Sequence, residues 1–343
     1  MSRVAVAPTR WAALRRRAAD RLTVAVFRAG WRLLCRVPEP LAYRGFDLVA
    51  DLTVRRGGAD VARMRANYAR VRPDADSAAL DALVRAGVRS YMRYWCEAFR
   101  LPARTPDQVV AGVRAVGAEP VRAVLDTGRP VVCFLGHMGN WDSAGAWACR
   151  ELAPVLTVAE RLEPEELFTE FVGFRERLGM TILPLTGEGD VFGRLVRRTA
   201  RGGCVVPLLA DRDLTQHGVE VDFAGRRARM APGPAALALA VGAPLVPVSM
   251  HYEPWPGGPG GHRLVVTFHE AVPVPPPGPA IRSRERIAAM TQACADTLGA
   301  AIAEHTADWH MMQRVFVEDL SPVPPVSPAQ PAGAPARSGS RGA

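Results

Sequence analysis

The segment Pro130-Val-Val-Cys-Phe-Leu-Gly-His-Met-Gly-Asn-Trp-Asp142 passes from a continuous apolar run into two glycines, a histidine and an aspartate, ahead of a helical run from Ser143. A histidine there stands outside the carboxyl end of a strand, which is where open α/β sheets hold ligands. Gly136 and Gly139 permit close approach of the backbone, while Asn140 and Asp142 suit a helix N-terminus. His137 on the turn and Asp142 in the first helical turn are near enough in sequence to meet. The carboxylate then holds one imidazole nitrogen and leaves the other as a general base. The alternative is a histidine satisfied in the core or on the surface, since seven histidines make a chance pairing with an acid common.

Other chemistries lack their residues. There is no Gly-x-Ser-x-Gly elbow and no Walker loop, and Gly187-Glu-Gly189-Asp-Val-Phe-Gly193 misses the dinucleotide fingerprint by one position. Six scattered cysteines form no CxxC and no zinc spacing, which points to reduced thiols in a cytosolic setting and to no metal. Cys133 lies inside the apolar run before His137 and reads as core packing.

The elements around this segment follow from periodicity. Residues 1–36 place Trp11, Leu14, Leu22, Val26 and Leu33 on a roughly helical period among arginines, a basic amphipathic helix suited to an anionic membrane surface or, alternatively, packed on the α/β core. That stretch holds nine arginines against the single acid Asp20, so nearly all of the formal net charge of +9 is N-terminal. Residues 37–115 read as helical. One helix over 59–72 buries Val61, Met64, Tyr68 and Val71; another over 77–100 buries Leu80, Leu83, Val84, Val88, Tyr91, Met92, Trp95 and Phe99. Arg85, Arg89 and Arg93 recur at every fourth position of the latter, either as a solvated face or as a phosphate-binding stripe.

From 116 to 320 short apolar runs alternate with helix-length segments. The runs are 130–135, 155–159, 181–185, 204–210, 244–250 and 263–268, the pattern of strands buried on both faces of a mostly parallel sheet. Val219 to Phe223 alternates, as an edge strand or hairpin arm would. The fold class is therefore α/β, a helical N-terminal region followed by a mostly parallel central sheet flanked by helices. Residues 321–343 are a Pro, Ala, Gly and Ser tail expected to be disordered. The uncharged stretch Met230 to Met250 carries too many prolines and glycines to span a membrane, and no secretory signal is expected at the N-terminus.

Gly-His137-Met-Gly-Asn-Trp-Asp142 resembles the His-x4-Asp motif of the bacterial lipid A late acyltransferases and the related phosphatidylinositol mannoside acyltransferases, within the wider glycerolipid acyltransferase group. Ala159-Glu160-Arg161-Leu162, Phe174-Arg175-Glu-Arg-Leu-Gly-Met180, Ala210-Asp211-Arg212-Asp213-Leu214, Gly218 to Gly225, Gly233 to Ala238, Gly242 to Pro247 and Asp308-Trp309-His310-Met-Met-Gln-Arg314 resemble family segments in family order. The resemblance covers roughly residues 20–320.

The resemblance implies an acyltransferase in which His137 is the general base and Asp142 its supporting acid. Glu160 and Arg175 fall where the mannoside enzymes line the active-site groove. Asp211 falls where they set an acid against the catalytic histidine; that acid is Glu in the family pattern, so the shorter Asp is a departure. Either Asp211 or Asp142 is the main orienting carboxylate. Gly139 and Asn140 supply backbone amides for the oxyanion, and Arg212 joins them as substrate-binding. Asp213 reads as a turn or cap residue, and Trp309 and His310 as packing or substrate contact. The expected donor is acyl-CoA and the expected acceptor a sugar hydroxyl of a membrane glycolipid, the mannose of a phosphatidylinositol mannoside. No cofactor, no metal and no covalent acyl-enzyme are implied, and the expected location is peripheral, on the cytoplasmic face of the cell membrane. Competing readings are a noncatalytic lipid carrier, another lysolipid or glycolipid acceptor, and a nucleic-acid binder, the last disfavoured because no aromatic residues interleave the arginine cluster.

Overall fold

A computed structural model describes residues 29–159, 165–184, 190–213, 215, 217–277 and 282–320. The expectations for 1–28, Glu160 and the tail 321–343 lie outside the described residues. Residues 29–36 are helical (α1), followed by α2 (Glu39–Arg56), α3 (Ala59–Val71) and α4 (Ser77–Arg100). Asp76 caps α4, its carboxylate accepting from the Ala79 N–H at 2.8 Å. The short α5 (Pro106–Ala111) follows, opened by a Thr105/Gln108 capping box.

The α/β part runs β1 (Val113–Val116), α6 (Glu119–Asp126), β2 (Val131–Leu135), α7 (Trp141–Glu151), β3 (Val155–Ala159), α8 (Glu165–Arg177), β4 (Met180–Pro184), α9 (Val191–Thr199), β5 (Val205–Leu209), β6 (Val219–Phe223), β7 (Arg226–Met230), α10 (Gly233–Val241), β8 (Leu245–Pro254), β9 (His262–Phe268) and α11 (Ser283–Glu304). Seven strands form one sheet in the order β1-β9-β8-β2-β5-β3-β4. Neighbours are parallel except β8 and β9, which are antiparallel. Every residue of the central strand β2 is buried, as a strand covered on both faces requires. The carboxyl end of β2 thus faces a crevice between crossover helices.

One detail departs from the sequence pattern, and one open alternative is decided. Val113–Val116 is a strand on the sheet edge, although 37–115 reads as helical; four residues are too few to show a period, and β9 supplies the pairing. Val219–Phe223 is a hairpin arm rather than a strand of the main sheet. It pairs with β7 through the two-residue turn Ala224–Gly225, where both φ angles are positive, 51° and 71°.

The helical region and the sheet share one hydrophobic core, which reaches from Met64 and Tyr68 of α3 to Phe134 of β2 and Trp309. After α11 the chain returns over the sheet end as a strap. Asn67 donates to the carbonyls of Met311 and Gln313, both at 2.9 Å, and the Tyr68 hydroxyl donates to the Trp309 carbonyl at 2.8 Å. The strap therefore ends up beside the turn after β2, bridging to it at Met138–Trp309.

Candidate active site

His137 sits two residues beyond β2. Its ring Nδ1–H donates to Asp211 Oδ1 at 2.5 Å, and its backbone N–H donates to Asp211 Oδ2 at 2.9 Å. Asp211, two residues beyond the neighbouring strand β5, is brought alongside by the parallel register of β2 and β5. A third donor comes from the strap: the Trp309 indole N–H reaches Asp211 Oδ2 at 2.8 Å. Burial by itself raises the Asp211 carboxyl, but the facing His137 charge, with the hydrogen bonds from its ring, from Trp309 and from the His137 backbone, holds it below the usual carboxylate value. With Nδ1 committed to this carboxylate, Nε2 is the nitrogen left for a substrate. The His137 side chain is 21% exposed and Asp211 is fully buried.

Asp142 is placed differently from the sequence expectation. It lies in the first turn of α7, but its Oδ1 accepts from Arg175 Nε at 2.6 Å and its Oδ2 from the Tyr94 hydroxyl at 3.0 Å. The i to i+5 spacing carries the carboxylate round the helix toward α8 and α4, and its partners are Arg175 and Tyr94. Asp142 bears on His137 only through packing: Tyr94 stacks on Trp141 at 4.2 Å between ring centroids, and Trp141 meets the His137 ring edge-on at 6.0 Å. Burial lowers the Arg175 guanidinium, yet the Asp142 charge and hydrogen bond outweigh this and raise it, while burial and the Asp142 charge push the Tyr94 phenol well up. Arg175 therefore has Asp142 as its acid partner.

Of the two backbone amides expected to serve an oxyanion, that of Gly139 is spent elsewhere. Gly139, at φ 53°, donates its N–H to the Asp308 carbonyl at 2.9 Å. An added Cβ there would come within 2.9 Å of Met250 and Leu264 side chains, so the turn after β2 requires glycine. The Asn140 side chain caps α7 by accepting from Ser143 N–H and donates to Glu97 at 3.0 Å, pointing into the core. Arg212 stays half-buried beside His137 with no ion-pair partner among the described residues. Asp213 forms the expected turn, accepting from the Thr215 N–H.

A cavity of about 610 Å³ opens from His137, Arg175 and Arg212 and extends beneath α7 across the sheet. That size lies in the ~300–1,000 Å³ range of small-molecule sites. Alternate residues of three strands face it, Cys133 and Leu135, Pro207 and Leu209, Val248 and Met250, which makes the sheet side apolar. Trp95 of α4, Trp141 of α7 and Phe171 of α8 form its aromatic rim. Cys133 contributes to the wall, and burial pushes its thiol up to about 12, so it carries little thiolate. Among the described residues no three His, Cys, Asp or Glu side chains converge in the manner of a metal site.

Several contributing residues lie outside the sequence-based set. Ser90, Tyr94 and Glu97 form a buried polar row on α4, where the apolar period points to Tyr91, Trp95 and Phe99 instead. Glu97 accepts from Asn140 and from the Tyr252 hydroxyl, the latter at 2.8 Å. The Ser90 hydroxyl donates to Asp308 at 2.6 Å and stands 2.8 Å from His310 Nε2. His310 in turn donates its backbone N–H to the His137 carbonyl at 2.7 Å. The signal available in sequence was the spacing 90, 94, 97, which puts three polar residues on one helix face.

The family model for bacterial lipid A biosynthesis acyltransferases matches residues 13–318. A phosphatidylinositol mannoside acyltransferase of Mycolicibacterium smegmatis (strain ATCC 700084 / mc(2)155) is 41% identical over 298 residues, covering 86% of this chain and 91% of that protein. A phosphatidylinositol mannoside acyltransferase of Mycobacterium tuberculosis (strain CDC 1551 / Oshkosh) is 40% identical over 304 residues, covering 86% of this chain and 89% of its own.

Proposed function

We propose, from the premise that this chain belongs to the bacterial lipid A biosynthesis acyltransferase family, that it moves a fatty acyl group from an acyl thioester, acyl-CoA, to a mannose hydroxyl of a phosphatidylinositol mannoside. The observation that carries this reading is the position of His137, its Nδ1 held by Asp211 and its other nitrogen at the head of a deep apolar cavity. The cavity takes the acyl chain and leaves the thioester carbonyl beside the ring.

The acceptor hydroxyl donates a hydrogen bond to His137 Nε2. As its oxygen attacks the thioester carbonyl, the proton passes to Nε2 and the carbonyl electron pair moves onto oxygen. The Asp211 carboxylate stabilises the imidazolium. With the Ser143 N–H capped by Asn140, the Trp141 and Asp142 N–H groups of the first turn of α7, which have no intrahelical acceptors, lie at the positive end of the helix and favour the developing oxyanion. Collapse re-forms the carbonyl, breaks the C–S bond and returns the proton from Nε2 to the leaving sulfur. No acyl-enzyme is formed in this route, in keeping with the protonated state of Cys133.

The lipid acceptor requires access from a membrane surface. No helix among the described residues is long and apolar enough to cross a membrane. α2 instead turns Leu41, Leu48, Val49 and Leu52 to solvent, with exposed Arg44, Arg55 and Arg56 beside them. Leucines with flanking arginines suit an anionic lipid headgroup region. We place the protein peripherally on the cytoplasmic leaflet through this face together with residues 1–36, of which Trp31 packs on the core, its indole N–H donating to the Phe99 carbonyl at 2.7 Å, while Leu33 is exposed.

The test is to incubate the purified protein with palmitoyl-CoA and a phosphatidylinositol mannoside and to weigh the lipid products. A mass gain of one palmitoyl group on a mannose supports the reading. Binding of both lipids without any turnover would instead make the protein a lipid carrier.

A further inference from the structure

We infer that Gly145 and Met180 together set the length of acyl chain the cavity accepts, with a notch in α7 at Gly145 storing the Met180 thioether. The inference rests on the reading that the cavity holds the acyl chain. Gly145 lies in the interior of α7, where glycine is less favourable than alanine, and its backbone is not in the left-handed region that calls for glycine. Its cause is therefore packing. An added Cβ would sit 2.7 Å from Met180 Cε and 3.0 Å from Met180 Sδ, so the methionine tip occupies the space a side chain would need.

Met180 stands at the far end of the cavity. It is the first residue of β4 and pairs with Val155, the first residue of β3, which pairs with Val205, the first of β5, level with Val131 of β2. His137 follows the opposite end of β2. At about 3.3 Å per residue, the five-residue strands separate these levels by ~13 Å. Gly145, Met180, Val155 and Val205 all line the cavity, so Met180 and the notch that stores its tip belong to the cavity wall near the strand ends remote from His137. Methionine is unbranched and adapts readily, and a methyl group at Gly145 displaces its tip into the cavity that Met180 already borders.

Three consequences follow for the chain transferred. Gly145→Ala shortens the cavity, Met180→Ala lengthens it, and the double variant recovers length because no thioether remains to be displaced. The experiment gives the full-length protein an equimolar mixture of saturated acyl-CoAs from dodecanoyl to eicosanoyl with a phosphatidylinositol mannoside, and reads the product masses. The expected ratio of long to short products falls about tenfold in Gly145→Ala and rises in Met180→Ala, the discrimination that one or two methylenes carry in an apolar pocket. Gly145→Ala suits a helix interior, so its result does not depend on Met180→Ala folding well. Continued transfer with an unchanged distribution in Gly145→Ala overturns the inference alone. Absence of transfer by the unaltered protein from every donor overturns the inference and the acyltransferase reading beneath it.

Discussion

The indole N–H of Trp309 donates to Asp211, the carboxylate that holds His137, across 98 residues of sequence. The strap after α11 thus determines how one imidazole is oriented at the end of β2. Tyr68 and Asn67 fix that strap from α3, so the helical region contributes to the geometry of a site built on the sheet.

Trp309→Phe removes this donor while keeping most of the ring packing. Two His137 donors remain on Asp211, so the expected stability loss is about 1–3 kcal/mol, that of a buried hydrogen bond to a charged group. kcat should fall more than KM rises, because the imidazole is less well oriented. A normal kcat with a raised KM would place Trp309 in substrate binding instead.

Arg175 and Asp142 form a buried pair, and removing one partner leaves the other charge uncompensated. Arg175→Leu should destabilise the protein by about 3–5 kcal/mol. Asp142→Asn in the same background should recover part of that loss, since the stranded charge is then gone. Urea unfolding of the single and double variants measures both, and additive losses would show that the two side chains do not interact.

His251 stacks on His305 with ring centroids 3.6 Å apart. Burial, with the His305 charge adding to it, lowers His251 to about 4, and burial lowers His310 to about 3. Both values lie below the ~6.5 of a free imidazole, so between about pH 6.5 and 4 the unfolded chain binds protons that the folded chain does not. Stability is complete above that window and is lost as pH falls through it. His251→Gln should flatten the slope by up to one proton, read from urea midpoints at several pH values. An unchanged slope would mean that His251 titrates normally in the fold.

Leu48 of α2 is 59% exposed, and Leu52 follows one turn later on the same face. Replacing both with Glu should weaken binding to anionic vesicles by at least about tenfold, since each buried leucine side chain contributes ~1.5–3 kcal/mol. Co-sedimentation measures this. Undiminished binding would leave the docking to residues 1–36 alone.

The central strands were legible because burial on both faces writes continuous apolar runs, as in Val131–Leu135 and Val205–Leu209. β1 was not, since its four residues pair only through β9. The histidine was legible from its glycines and its place after a strand. Its carboxylate partner is not legible in sequence, because nearness in the chain favours Asp142 while the parallel pairing of β2 and β5 brings Asp211 into contact. Trp309 stood in a recognisable block, but its bond to Asp211 depends on how α11 returns the chain, which no local pattern encodes.

In the proposed reaction His137, its Nδ1 held by Asp211, is the base in acyl transfer. The most direct measurement is the single-turnover rate of transfer from palmitoyl-CoA for Asp211→Asn and Asp142→Asn beside the unaltered protein. Losing a positioned base costs about 10²–10⁴ in rate, and a loss of that order is expected for Asp211→Asn, with a much smaller one for Asp142→Asn once folded protein is counted. A severe loss in Asp142→Asn with near-normal turnover in Asp211→Asn would contradict it.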